Sequence, residues 1–139
     1  MLKNNKGENR MSDRALVRIK KFDVVGTDER GLTAEFSLSR KQAEFVFITR
    51  KGKSVSGNTY HEGKNTATNP KMFILLSGDI TLSYRKIGTT EKYSELIQAP
   101  AVIEISPYVT HKVEALCDFI LLECNSIKDI QNDRIRDEV

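Results

Sequence analysis

Between Ala15 and Cys124 the chain is a succession of short apolar and polar alternations, cut at close intervals by turn residues, and no helical period runs through it. Ala15 to Val25 alternates loosely, Leu32 to Leu38 reads LTAEFSL, and Ala43 to Thr49 reads AEFVFIT. All three are rich in the β-branched and aromatic residues that suit a pleated surface. Turn signals stand at Arg50-Lys51-Gly52-Lys53, Ser56-Gly57, Ser77-Gly78-Asp79 and Ile87-Gly88-Thr89-Thr90. Strand-length segments punctuated in this way predict an all-β sandwich or barrel, and 139 residues support one core rather than two.

The clearest expected hairpin runs from Phe73 to Arg85. It enters a Ser-Gly-Asp turn and leaves with Ile80, Leu82 and Tyr84 on one face and Thr81, Ser83 and Arg85 on the other, so one face is buried and one wet. Pro100 opens a strand over Ala101 to Ile105, Pro107 turns the chain into Thr110 to Leu116, and Asp118 to Cys124 makes the last strand. Beyond it Ser126 caps a short helix in which Ile127, Ile130 and Ile135 form an apolar stripe, to be packed on the barrel or on a second copy of the chain. The expected division is a disordered polar tail over residues 1–13, a barrel over 14–125 and a helical tail over 126–139.

Charge narrows the partners. Of the net charge of +3, two units lie in the first ten residues, where Lys3, Lys6 and Arg10 face only Glu8. In the rest, Lys and Arg are interleaved with Asp and Glu, which argues against a nucleic-acid partner. The first thirteen residues lack the apolar run of a signal peptide, and no later segment approaches the roughly 20 apolar residues that cross a bilayer. The expectation is a cytoplasmic protein without a membrane contact. Cys117 and Cys124, seven residues apart in one apolar stretch, would fall on opposite faces of a strand, so two buried reduced thiols are expected rather than a disulfide.

The chain has two histidines. His61 ends Gly57-Asn58-Thr59-Tyr60-His61, just before the strand closing on Gly78, and His111 ends Ser106-Pro107-Tyr108-Val109-Thr110-His111. With the Lys71-to-Gly78 segment between them, this order of parts resembles the cupin superfamily, a small β-barrel of jelly-roll type. More narrowly, Asp28 to Glu35, Gly57 to His61, Phe73 to Gly78 and Thr110-His111 look like the sugar-nucleotide branch of cupins, which holds ketoisomerases, epimerases and related domains of deoxysugar and capsular polysaccharide pathways. The similarity spans roughly residues 22–125. The implied fold is an all-β, cupin-type jelly-roll barrel with a short C-terminal helix.

Departures from that branch matter too. Its Arg-Gly-x-His-x-His pattern is replaced here by Ser56-Gly57-Asn58-Thr59-Tyr60-His61, and the loop Glu62 to Pro70 is enlarged. The positions that hold metal in a typical cupin read Thr59, His61, Lys71 and His111. Two imidazoles beside an ammonium, which offers no lone pair while protonated, make a poor cation cage, so no cofactor is expected and a divalent metal is disfavoured. A metal site would need a ligand from the enlarged loop.

The resemblance therefore implies metal-independent acid/base proton transfer on a keto-deoxysugar nucleotide. His61 and His111 are the acid/base candidates and Lys71 the stabiliser of an enolate oxygen. Thr59, Tyr84 and Tyr108 are candidate substrate contacts, the two tyrosines as possible proton donors, and Arg50 and Lys53 are candidates for holding a nucleotide diphosphate. A homodimer is expected through the early strands or the Ile-rich tail. The alternative is a non-catalytic cupin that binds a small sugar-like ligand or serves as a scaffold, its metal site decayed.

Overall fold

The computed structural model describes residues 10–11 and 16–139; the rest of the expected N-terminal tail lies outside the described residues. In chain order the strands are β1 (Arg10–Met11), β2 (Val17–Lys21), β3 (Asp23–Asp28), β4 (Gly31–Glu35), β5 (Val46–Arg50), β6 (Val55–Tyr60), β7 (Lys71–Ser77), β8 (Asp79–Lys86), β9 (Tyr93–Gln98), β10 (Ala101–Ile105), β11 (Val109–Ala115) and β12 (Phe119–Glu123). A helix α1 (Ile127–Asn132) and a short strand β13 (Ile135–Arg136) follow. They form a six-stranded antiparallel sheet in the order β1-β2-β10-β7-β12-β5, a five-stranded one in the order β13-β6-β11-β8-β9, and a separate β3–β4 ribbon. This is the jelly-roll architecture that the sequence implies. Among the described residues, no helix is long and apolar enough to cross a membrane.

The core lies between the two large sheets. Leu75, Ile103 and Leu121 face Ile80, Leu82, Tyr84 and Ile97 across it, and the expected inward set of Ile80, Leu82 and Tyr84 is almost fully buried. On the other face of β7, Met72 and Ile74 pack with Cys124 against Phe22, Leu38 and Leu122. Both faces of this strand are therefore covered, which explains why it reads as the continuous run MFILL rather than as an alternation.

The expected Phe73–Arg85 hairpin does not form. β7 pairs with β10 and β12, and β8 pairs with β9 and β11, so the chain passes from one sheet to the other at Gly78. Gly78 has φ +96, and a Cβ there would stand 2.5 Å from the Asp118 carbonyl oxygen and 2.7 Å from the Phe119 Cβ. A glycine in that conformation makes a corner as readily as a hairpin turn. The hairpin is instead β8–β9, closed by the turn at Ile87-Gly88.

Three further expectations change. Ser56-Gly57 is a bulge inside β6 rather than a turn: His111 pairs with Thr59 and Lys112 with Gly57, which leaves Asn58 as the extra residue. Gly57 has φ +100, and a side chain there would meet the His111 carbonyl at 2.8 Å. Cys124 is buried but Cys117 is exposed, because it falls in the turn before β12; both are free. In the tail, Ser126 does cap α1, its Oγ accepting from the Asp129 N–H at 3.1 Å. The apolar stripe is broken, however, since Ile130 is buried, Ile127 is exposed and Ile135 belongs to β13, which pairs with β6.

Candidate functional site

The open end of the barrel encloses a cavity of about 470 Å³. His61, His111 and Thr59 line it from the five-stranded sheet, while Phe73, Leu121 and Glu123 line it from the six-stranded sheet. Thr59 and His111 are direct register partners, which places them side by side on one face. His61 follows β6 immediately. The two imidazole rings stand 5.5 Å apart between centroids, tilted by 33°, so the predicted convergence of the pair is present.

Each ring is oriented by the backbone. His61 Nδ1 meets the Asp133 carbonyl, and His111 Nδ1 meets the Val109 carbonyl at 3.1 Å. A carbonyl only accepts, so both Nδ1 atoms carry the proton and both Nε2 atoms carry the lone pair. Burial, then the positive charge of His61, pushes His111 down to about 3. His61 is lowered as well, by burial and then by the Lys71 ammonium, but its Asp133 carbonyl bond and the Glu123 and Asp133 carboxylates act in the opposite sense. Both rings are neutral at pH 7, and His61 is the one with partners for its protonated form.

Lys71 lies behind this pair and does not line the cavity. Its side chain is 1% exposed and forms an ion pair with Glu123, with its Nζ 5.7 Å from the Phe73 ring centroid. Burial lowers its pKa against the attraction of Glu123. Lys71 therefore acts on the histidines through its field, and its charge is already matched.

Other expectations are corrected by position. Tyr84 faces inward but deeper in the core, 1% exposed, with its hydroxyl donating to Glu95 at 3.0 Å and its ring stacked on Tyr93. Tyr108, at φ +63 in the turn before β11, is exposed and lies near Tyr60. Lys53 is exposed at the β5–β6 turn with φ 74. None of these three lines the cavity, whereas Arg50 does.

The residues that sequence reasoning missed come from the tail. Arg134 and Arg136 line the cavity, and Asp133 organises its rim. The Asp133 carboxylate accepts from the backbone N–H groups of Glu62, Gly63 and Lys64 at 2.8, 2.9 and 2.8 Å, and from the Thr68 hydroxyl at 2.7 Å. Arg40 grips the far side of the same loop, donating to the carbonyls of Pro70, Ala67 and Cys124. The enlarged 62–70 segment is thus held at both ends beside His61, although none of its residues lines the cavity. The alternation Arg134-Ile135-Arg136 marks an extended segment in the sequence, but its place beside the cavity comes from pairing with β6.

The donor set does not suit a metal. Thr59 and Lys71 occupy two of the four positions that the cupin resemblance assigns to ligands, the cavity carboxylate Glu123 is paired with Lys71, and Glu62 is paired with Lys64 at 3.3 Å. Among the described residues, no three His, Cys, Asp or Glu side chains converge.

Comparison with known proteins agrees with the fold. A family model described as the polysaccharide biosynthesis C-terminal domain matches residues 26–137. No curated protein matches the chain by sequence. Among solved structures, the dTDP-6-deoxy-D-glucose-3,5-epimerase RmlC from Legionella pneumophila Philadelphia 1, in complex with dTDP-4-keto-L-rhamnose, superposes with a TM-score of 0.67 at 14% identity, over 91% of this chain and 75% of that one. A mutant of the 3,4-ketoisomerase QdtA from Thermoanaerobacterium thermosaccharolyticum, in complex with TDP-4-keto-6-deoxyglucose, gives 0.67 at 17% over 88% of each chain. The capsular polysaccharide assembling protein CapF from Staphylococcus aureus gives 0.59 at 20%, over 86% of this chain and 35% of that one. At these identities the likeness is one of fold.

Proposed function

The chain belongs to the polysaccharide biosynthesis C-terminal domain family, and on that footing we propose that it is an isomerase or epimerase that moves a proton on a keto-deoxysugar nucleotide without a metal. One observation carries the reading: two imidazoles, each with its Nδ1 held by a backbone carbonyl, share one cavity. His61 Nε2 takes the proton from the carbon beside the sugar's keto group. The C–H electron pair passes into an enolate, and the proton returns either to the same carbon on its other face or to the former keto carbon, in which case the proton of the neighbouring hydroxyl passes to the former keto oxygen. His111, pushed down to about 3, stays neutral and acts as a polar wall rather than as the base. The ligands named for the two fold neighbours support this choice of substrate class.

The test is exchange in heavy water. Incubated with TDP-4-keto-6-deoxyglucose or its uridine counterpart, the protein exchanges the hydrogen beside the keto group for deuterium, read as loss of that proton's NMR signal. Binding without exchange would leave the second reading, a non-catalytic sugar-binding cupin. One observation favours that reading: no tyrosine lines the cavity among the described residues, so no phenol stands ready as a proton donor. Absence of binding overturns both.

The assembly that goes with this reading is a homodimer through the early strands. The β3–β4 ribbon stands apart from both large sheets with Val25 and Leu32 each 60% exposed, and a two-stranded ribbon is marginal without something packed on it. Light scattering at twice the chain mass is the expected result.

A further inference from the structure

We infer that the C-terminal strap, residues 133–139, is the anion-binding element of the cavity, in which Arg134 and Arg136 join Arg50 to clamp a diphosphate. The inference rests on the sugar-nucleotide reading and deepens it, by assigning one end of the ligand to one segment of the chain.

The strap is held independently of any ligand. Ile135 and Arg136 pair with Tyr60 and Thr59. The Asp137 N–H donates to the Asn58 carbonyl at 2.9 Å, and the Val139 N–H to Asn58 Oδ1 at 3.1 Å, so the bulge in β6 is the dock. Arg85 forms a 2.8 Å ion pair with Asp137, and Asp133 anchors the other end. In extended chain successive side chains alternate, so Arg134 and Arg136, both exposed, lie on the same side of the strap and both line the cavity, while Ile135 lies on the other side.

Register sets the reach. Arg136 is the partner of Thr59, and Thr59 is the partner of His111, all on one face of the five-stranded sheet. Two inter-strand spacings, about 10 Å, therefore separate the Arg136 and His111 positions. That is the reach from a diphosphate across one hexose ring.

Charge sets the ligand. Arg50 completes the group from the opposite sheet, so three guanidinium-bearing residues line a cavity whose one lining carboxylate, Glu123, is already matched by Lys71. Arg85 is taken by Asp137, whereas among the described residues neither Arg134 nor Arg136 makes an ion pair. Guanidinium forks bind phosphate oxygens in pairs, which favours a pyrophosphate over a single phosphate.

The test is calorimetric titration of the full chain with TDP, UDP, UMP and inorganic pyrophosphate, for wild type, Arg134→Ala, the Arg134→Ala/Arg136→Ala double variant, and Lys128→Ala as an exposed control of equal charge change. The double variant loses about a hundredfold in affinity for the nucleoside diphosphates and pyrophosphate, about tenfold per arginine; UMP binding falls less, and the control is unchanged. Arg134 lies outside the β13 ladder, so its single variant decides if the double variant unfolds. If wild type binds nucleoside diphosphates and the variants bind them equally well, the clamp is overturned while the proposed function stands. If wild type binds no nucleotide, the functional reading falls, and pyrophosphate alone judges the clamp: binding lost in the variants supports it, and no binding overturns it.

Discussion

His61 and His111 hold their rings 5.5 Å apart with each Nδ1 proton committed to a backbone carbonyl, so the two Nε2 lone pairs are the free ends of the pair. The difference between them lies in what surrounds the cationic form. Burial and the Lys71 ammonium act against both cations, but His61 also has the Asp133 carbonyl and the Glu123 and Asp133 carboxylates acting on it, while His111 has a single carbonyl.

A base that must be neutral loses rate on the acid side. Because the His61 pKa is held below its ordinary value of 6.5, kcat/KM should be flat above pH 6.5 and fall only at lower pH. His61→Asn should reduce proton exchange about a thousandfold and leave TDP affinity within a few-fold, measured by NMR exchange and by calorimetry. Unchanged exchange in that variant ends the assignment of the base.

Stability should follow His111 in the same direction. Its folded value of about 3 lies below the unfolded 6.5, so on acidification the unfolded chain takes the proton first. The protein is at full stability above pH 6.5 and loses it progressively as pH falls toward 3, about 2 kcal/mol at pH 5 from this group alone. Unfolding free energies from urea titrations at pH 5 and 7.5 should differ by at least this amount in wild type, since His61 is lowered too, and by about this much less in His111→Gln.

Asp133→Ala should release the loop that follows His61. It removes acceptors from three backbone N–H groups and one hydroxyl, at a cost of about 2–4 kcal/mol. Hydrogen exchange at Glu62, Gly63 and Lys64 should accelerate far more than in β8 or β11, whose ladders it does not touch; uniform acceleration throughout would contradict this.

The buried ion pair should show its cost asymmetrically. Lys71→Met strands the Glu123 carboxylate and should destabilise by about 3–5 kcal/mol, whereas the double variant Lys71→Met/Glu123→Leu should recover most of it. Thermal unfolding of the four proteins in the cycle measures the difference.

Gly78→Ala should be among the most damaging single-methyl additions in the chain. It adds a Cβ at positive φ against the Asp118 carbonyl and Phe119, and should cost more than about 2 kcal/mol. Gly26→Ala, with nothing within 4 Å of the added carbon, should change stability little.

Much of this protein is local and was therefore legible in the chain alone. Side-chain alternation with period two marks which residues of a strand share a face, so the strand content, the inward set Ile80, Leu82 and Tyr84, the Ser126 cap and the cavity position of both histidines follow from the order of residues. Pairing is not local. Whether Gly78 makes a hairpin or a corner between sheets depends on strands β10 and β12, which arrive later in the chain and compete for the edges of β7. The destination of the tail depends likewise on a bulge at Asn58, some eighty residues away, that offers its backbone and side-chain oxygens to the last residues. Periodicity reports the direction of a side chain relative to its own strand, while partner, register and the company kept in a cavity are settled by packing between distant segments. For that reason the histidines could be named from sequence, and Asp133, Arg134 and Arg136 could be found only in the folded molecule.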